Sequence, residues 1–137
     1  MQPIDILGIS GSLRDQSLNS ALLRSAADRL PDHMSLEIYD GLRALPPYDQ
    51  DLDESGAAPE VVSLRERIDA ADGLLIATPE YNYSVPGVLK NLIDWASRPA
   101  DDSSLNGKPV AIMGASPSPF GTVRAQLSLR QSFLWTD

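Results

Sequence analysis

Four short apolar runs, each followed by a polar or proline-rich loop and then a segment of helical periodicity, constrain this chain more than any other feature. The first run, Ile4 to Ile9, ends in Ser10-Gly11-Ser12, and Ser17 to Leu30 then carries Leu22, Leu23, Ala26 and Leu30 at helical spacing. Met34 to Tyr39 reads as a second strand, and Asp40 to Pro59, rich in Pro, Gly and Asp, as a long surface loop. Glu60 to Ala71 is amphipathic, with Val61, Leu64 and Ile68 on one side, and leads into Gly73 to Thr78. That run is continuously apolar, as a strand covered on both faces must be. A helix is predicted from about Gly87 to Ser97, opening behind Pro86. After the polar stretch Arg98 to Lys108 come a fourth strand, Pro109 to Gly114, and a fourth helix, Thr122 to Leu134. Strand followed by helix four times over predicts an α/β fold: a doubly wound parallel sheet with helices on both faces.

Such sheets bind ligands beyond the carboxyl ends of their strands, near the point where the strand order reverses. The loops after strands one, three and four are also the most distinctive stretches of this chain, so composition and topology point to one edge.

The 137 residues suit a single domain spanning 1–137, and 42% apolar with 22% charged residues is ordinary globular composition. There is no cysteine, which removes disulfides, thiolate nucleophiles and cysteine-based metal sites. The net charge of −8 argues against a nucleic-acid or anionic-membrane partner, because both require a basic face. The first residues lack the basic and apolar regions of a leader, and no apolar run approaches the roughly 20 residues that span a bilayer. A cytoplasmic location is therefore expected.

Gly8 to Asn19 forms a hydroxyl-rich loop entering a helix. A helix amino terminus offers unpaired N–H groups and positive partial charge; Ser10, Ser12, Ser17 and Asn19 add donors, and Arg14 adds a full charge. The segment has the makings of a phosphate cradle, although a serine turn and an N-cap give the same pattern. It lacks both the Walker ending and the G-x-G-x-x-G spacing, which disfavours nucleoside triphosphates and dinucleotide binding of that type. The loop Thr78 to Pro86 places Tyr81, Asn82, Tyr83, Ser84 and two further prolines, Pro79 and Pro86, at a strand end. A flat apolar wall beside amide groups suits an isoalloxazine ring, and ordinary loop aromatics are the plainer reading.

These two segments resemble the NADPH-dependent FMN reductases, which include quinone, chromate and azo-dye reductases. Gly11-Ser12-Leu13-Arg14 with Ser17 and Asn19 resembles that family's FMN phosphate loop, and Thr78-Pro-Glu-Tyr-Asn-Tyr-Ser-Val-Pro-Gly through Asp94-Trp95 its flavin-ring signature. Leu45 to Leu52 and Gly121 to Gln131 are similar to further segments of it, so the resemblance covers essentially the whole chain. It implies a flavodoxin-like fold, bound FMN, and NADPH or NADH as electron donor. The implied reaction passes hydride to FMN and then to a small acceptor such as a quinone. The implied cofactor-binding residues are Ser10, Ser12, Leu13, Arg14, Ser17, Asn19, Pro79, Glu80, Tyr81, Asn82, Tyr83, Ser84 and Ser116, with no catalytic side chain and no metal. A homodimer or homotetramer is implied in the same way. The alternatives are an FMN-carrying electron-transfer protein of flavodoxin type and a truncated, inactive form.

The sequence departs from the family pattern in two places. The loop Ala115 to Thr122 holds Pro117 and Pro119, each of which removes an N–H, and Thr122 stands where glycine is common. The chain also ends at Asp137, before the fifth strand and last helix usual in the family, which would leave Val110 to Met113 as an exposed apolar edge; a truncated form is expected, the alternative being a partner or subunit interface that covers the edge. His33 falls at the opposite end of the sheet and is expected at the surface. Asp49, Asp51, Asp53 and Glu54 lack the spacing of a calcium loop. Lys90, Asn91 and Asp94 are expected to be helix-surface or capping residues, and Trp95 and Trp135 packing or interface residues.

Overall fold

The structure, a computed structural model, describes residues 2–136; Met1 and Asp137 lie outside the described residues. Its elements in order are β1 (Ile4–Ser10), α1 (Leu18–Ala27), β2 (Met34–Ile38), a 3-10 turn (Leu42–Ala44), α2 (Gln50–Gly56), α3 (Pro59–Ala70), β3 (Gly73–Ala77), α4 (Gly87–Ala96), β4 (Val110–Met113) and α5 (Val123–Phe133). The strands form one parallel sheet in the order β2-β1-β3-β4, with Ile4 opposite Met34, Ile6 opposite Gly73 and Leu74 opposite Val110. Because β1 and β3 are adjacent, the chain runs outward in opposite senses from them. Their carboxyl ends therefore flank the crevice where ligands of such sheets bind.

Alternation along β1 divides the core. Leu7 and Ile9 share one face with Leu74 and Ile76 and pack on Val61, Leu64 and Ile68 of α3, Leu89 and Leu92 of α4, and Leu129 of α5. Gly8 faces the other way, where a Cβ would lie 2.8 Å from Leu36 and 3.3 Å from Leu23 of α1. Helices thus cover both faces, as the sequence pattern predicts. β4 is the outer strand, with Ala111 exposed.

The segment Asp40 to Pro59 is not an irregular loop, and the described residues form five α-helices rather than four. Asp49 caps α2 by accepting from the Asp51 N–H at 2.9 Å, and Asp51 and Asp53 place negative charge at the positive end of the helix. Arg65 of α3 then bonds Asp53 at 2.9 Å and the Trp95 carbonyl at 2.9 Å, tying α2, α3 and α4 together. The composition of this segment hides a helix that long-range pairing supports.

Asn91 is likewise more than a surface residue of α4. Its amide accepts from the Tyr48 N–H at 2.7 Å and donates to the Pro46 carbonyl at 2.8 Å, while the Trp95 indole donates to the same carbonyl at 2.8 Å. Tyr48 sits edge-on to Trp95, which is fully buried. Lys90 and Asp94 do lie at the helix surface, where they pair at 2.5 Å. Trp135 is exposed.

Leu64 has no exposed surface and stands between α3 and the sheet. Replacing it with alanine should destabilise the protein by about 2–5 kcal/mol, seen as a lower urea midpoint with an unchanged slope.

Candidate functional site

The first loop leaves β1 at Ser10 and is drawn onto β3 by the Gly11 N–H, which donates to the Ala77 carbonyl at 2.8 Å. A Cβ at Gly11 would lie 3.0 Å from Leu89 and 3.1 Å from Pro79, so a side chain there would push the first and second loops apart. Ser17 caps α1, its hydroxyl oxygen accepting from the Asn19 and Ser20 N–H groups at 3.2 Å each. Its own proton remains free to donate. The same holds for Ser12, whose oxygen accepts from the Arg14 N–H at 3.2 Å. Arg14 is exposed, with its guanidinium resting on the Gln16 carbonyl at 2.7 Å. Among the described residues the N–H groups of Leu13, Gln16 and Leu18 donate to no protein atom. Leu18 opens α1, so its N–H is an open donor of the helix entrance, and Leu13 and Gln16 add two more from the loop before it.

The second loop starts at the buried Thr78 and doubles back between Tyr81 and Ser84, whose backbones exchange hydrogen bonds of 3.0 and 3.1 Å. Asn82 and Tyr83 between them take φ values of 50° and 67°. Both central residues are left-handed, a turn that favours Asn-Gly; an aromatic residue in its second place costs on the order of 1–3 kcal/mol. Tyr83 is nevertheless 70% exposed, and the Arg124 guanidinium lies 3.7 Å from its ring centroid.

The third loop is held from two sides. The buried Asn19 amide accepts from the Ala115 N–H at 2.9 Å and donates to the Ala115 carbonyl at 3.1 Å. Glu80 of the second loop accepts from the N–H groups of Arg124 and Ala125 at 2.9 and 3.2 Å and from the Arg124 Nε at 2.6 Å. It supplies the cap that Thr122, itself left-handed at φ 63°, does not give α5. Thr122 packs so closely on Gly114 that a Cβ there would fall 1.9 Å from its Oγ1.

These three loops enclose a cleft of about 330 Å³, lined by Ser12, Arg14, Ser17, Pro79, Tyr81 and Ser116, among others. The volume lies in the range of small-molecule sites. Arg14 and the α1 entrance bring positive charge to its lining, and Pro79, Tyr81 and Pro117 bring apolar surface. Larger hollows of about 660 and 740 Å³ run along β4 and the amino-terminal ends of the strands. They are lined by residues such as Val110 and Ala111 and lie away from the loops after β1 and β3.

Not every residue singled out by the sequence reaches this cleft in the same way. Ser10 is turned inward onto Ser20, with 2.8 Å between their hydroxyl oxygens. Leu13 faces a separate apolar hollow beside Leu42, Leu45 and Val88. Asn82, Tyr83 and Ser84 form the exposed tip of the second loop and do not line the cleft. Asn19 and Glu80 line it, but their side chains are committed to Ala115 and α5, so the structure casts them as supports of its walls. Ser116 lies on the wall, bonded to Ser118 through its hydroxyl at 3.1 Å. Leu18, Ala115 and Pro117 also line the cleft without being singled out by sequence reasoning, and Arg124 is missed because its partner Glu80 lies 44 residues away. His33 lies at the far end of the sheet, its carbonyl accepting from the Ile4 N–H at 2.9 Å.

A family model described as NADPH-dependent FMN reductase matches residues 4–137. The chain belongs to this family. It is similar to an NAD(P)H-dependent FMN reductase of Pseudomonas aeruginosa, 54% identical over 98% of this chain and 71% of that protein. It is also similar to a 2-hydroxy-1,4-benzoquinone reductase of Burkholderia, 47% identical over 98% of this chain and 72% of that protein. Among solved structures it superposes on FerB, a flavoenzyme NAD(P)H:(acceptor) oxidoreductase from Paracoccus denitrificans, with a TM-score of 0.89 and 37% identity over 96% of this chain and 71% of that one. The fold is thus the flavodoxin-like one of the FMN reductases, and the chain spans about seven-tenths of the length of these relatives.

Burial pushes the Glu80 carboxyl toward a higher pKa, but the Ala125 N–H, the Arg124 guanidinium and the Arg124 N–H outweigh it and hold the group below the ordinary carboxylate value. A depressed folded-state pKa gives stability that is complete above the unfolded value and is lost as pH falls through the folded one. The melting temperature of the wild type should therefore exceed that of Glu80→Gln at neutral pH. The gap should close on acidification below about pH 4.3, the unfolded carboxyl value. A gap unchanged in acid would assign the α5 cap to something other than the Glu80 charge.

Proposed function

We propose that the cleft between the three loops holds FMN and that the chain is an NAD(P)H-dependent FMN oxidoreductase delivering electrons to a small acceptor such as a quinone. The observation that carries this reading is the pairing, in one cleft, of an electropositive helix entrance with the apolar surface of Pro79, Tyr81 and Pro117. Family membership supplies the chemistry to which that pairing is fitted.

In this reading Arg14, the free hydroxyl protons of Ser12 and Ser17 and the open N–H groups of the α1 entrance bind the phosphate, while Pro79, Tyr81 and Ser116 border the ring and ribityl chain. Bound FMN supplies hydride transfer from a reduced nicotinamide and onward delivery of the electrons. The protein's part is to hold, orient and leave one face accessible, and no cleft side chain is assigned a proton-transfer role. Asn19 and Glu80 act one step back, fixing the third loop and the α5 entrance.

We further place the enzyme in the cytoplasm as a homodimer or homotetramer. No helix of the described residues is long and apolar enough to cross a membrane. The outward side of α5 and the turn after it carry exposed Leu127, Leu134 and Trp135, which suit a contact between copies.

The deciding experiment is the visible spectrum of the 137-residue protein titrated with FMN, followed by anaerobic NADPH. Bound flavin absorption that bleaches supports the reading; flavin that binds without bleaching points to an electron carrier, and no binding overturns it. Arg14→Ala should weaken FMN binding by about 1.5–3 kcal/mol, the range for a hydrogen bond to a charged group. Unchanged affinity in that titration removes Arg14 from the phosphate site.

A further inference from the structure

The Arg124 guanidinium is engaged on three sides by groups from two separate loops. It donates to Glu80 Oε1 through Nε at 2.6 Å, with Nη2 also 2.6 Å from that oxygen, and lies 3.7 Å from the Tyr83 ring centroid and 4.4 Å from that of Phe120. Glu80 and Tyr83 belong to the second loop, Phe120 to the third, and Arg124 itself to the first turn of α5. A surface ion pair alone would carry little weight. This one is backed by two backbone N–H bonds to the same carboxylate and by two cation–π contacts.

The second loop also holds Tyr83 in a left-handed conformation while leaving its ring mostly exposed. The paired Tyr81 and Ser84 backbones close the turn that sets this geometry, and Arg124 is the group that meets the exposed ring. Strained backbone of this kind persists only where the surroundings over-determine it. The wall residues Pro79 and Tyr81 sit beside Glu80 in sequence, and Ala115, Ser116 and Pro117 precede Phe120, so the cluster joins the two walls of the cleft.

We infer that Arg124 is a positioning residue that latches the second loop to α5 through Glu80 and Tyr83, and that closure of this latch sets how long FMN is retained. The inference rests on the placement of FMN in the cleft proposed above. Arg124 touches neither the cofactor nor the reacting atoms in this scheme; it acts by keeping Pro79 and Tyr81 in register with the third loop.

The test is the rate of FMN release, followed by recovery of flavin fluorescence on dilution of the loaded protein, with the apoprotein melting temperature measured beside it. Arg124→Ala and Tyr83→Ala should each speed release on the order of tenfold, the effect of losing cation–π contacts together with the ordering they impose. Tyr83→Phe, which keeps the ring, should release FMN as the wild type does. The double variant should be no faster than the faster single one, because both break one latch. Tyr83→Ala leaves the Glu80 cap of α5 intact, so its effect cannot be assigned to a lost helix. Additive effects of the two alanine variants, or wild-type retention in Arg124→Ala while Arg14→Ala releases FMN faster, would overturn the latch and leave the phosphate site standing. Unchanged release in both Arg14→Ala and Arg124→Ala would overturn the placement of FMN in this cleft, and the latch with it.

Discussion

Two side chains govern the geometry of the carboxyl-terminal edge of the sheet. The Asn19 amide exchanges two hydrogen bonds with the backbone of Ala115, and the Glu80 carboxylate accepts from the first turn of α5. Each is largely buried, each spans a long sequence separation, and each satisfies backbone groups that would otherwise lie open at a loop or helix end. The three loops that the strand order brings together are thereby fixed to one another. A cleft between independent loops would have walls as mobile as the loops themselves; here Asn19 ties the first to the third and Glu80 ties the second to α5.

The charge distribution follows the same division. The chain is strongly acidic overall, yet the cleft lining carries positive charge because Arg14 and the α1 entrance coincide there. Among the described residues Arg65, Arg67 and Arg124 are paired with acids. Arg65 joins Asp53, and Arg67 joins Glu37 and Asp40 while lying over the Tyr39 ring. The hydrogen bond and charge of Arg67 hold the Asp40 carboxyl below its ordinary value. Arg14, like Arg43 and Arg98, donates its guanidinium only to a backbone carbonyl, and of these three it is the one that lines the cleft.

Glycine and threonine placement shows how little room the loops have. Gly11 lets the first and second loops touch, and Gly114 accommodates Thr122, which occupies a left-handed position that glycine would take without strain. The strained residues Asn82, Tyr83 and Thr122 lie on the two loops that Arg124 and Glu80 connect. Local conformations that the chain disfavours are thus concentrated where tertiary contacts hold them in place.

Much of this was legible in the sequence because the information is local. Apolar runs of strand length separated by helical periodicity pointed to the parallel sheet and to the edge that carries the candidate site, and the family resemblance implied the flavodoxin-like class. The Ser17 cap and the Arg14 charge were readable from the first loop alone. Tertiary structure decided the rest. Helix α2 lies in a stretch whose Asp and Gly content reads as loop, and it is supported by Arg65 from the next helix. Glu80 and Asn19 carry the residue types of ligand donors, but their partners, 44 and 96 positions away, commit them to the protein instead. A polar side chain near a cleft has the same sequence signature whether it meets a ligand or a backbone amide, and only the folded arrangement of the loops determines which of the two is within hydrogen-bonding distance.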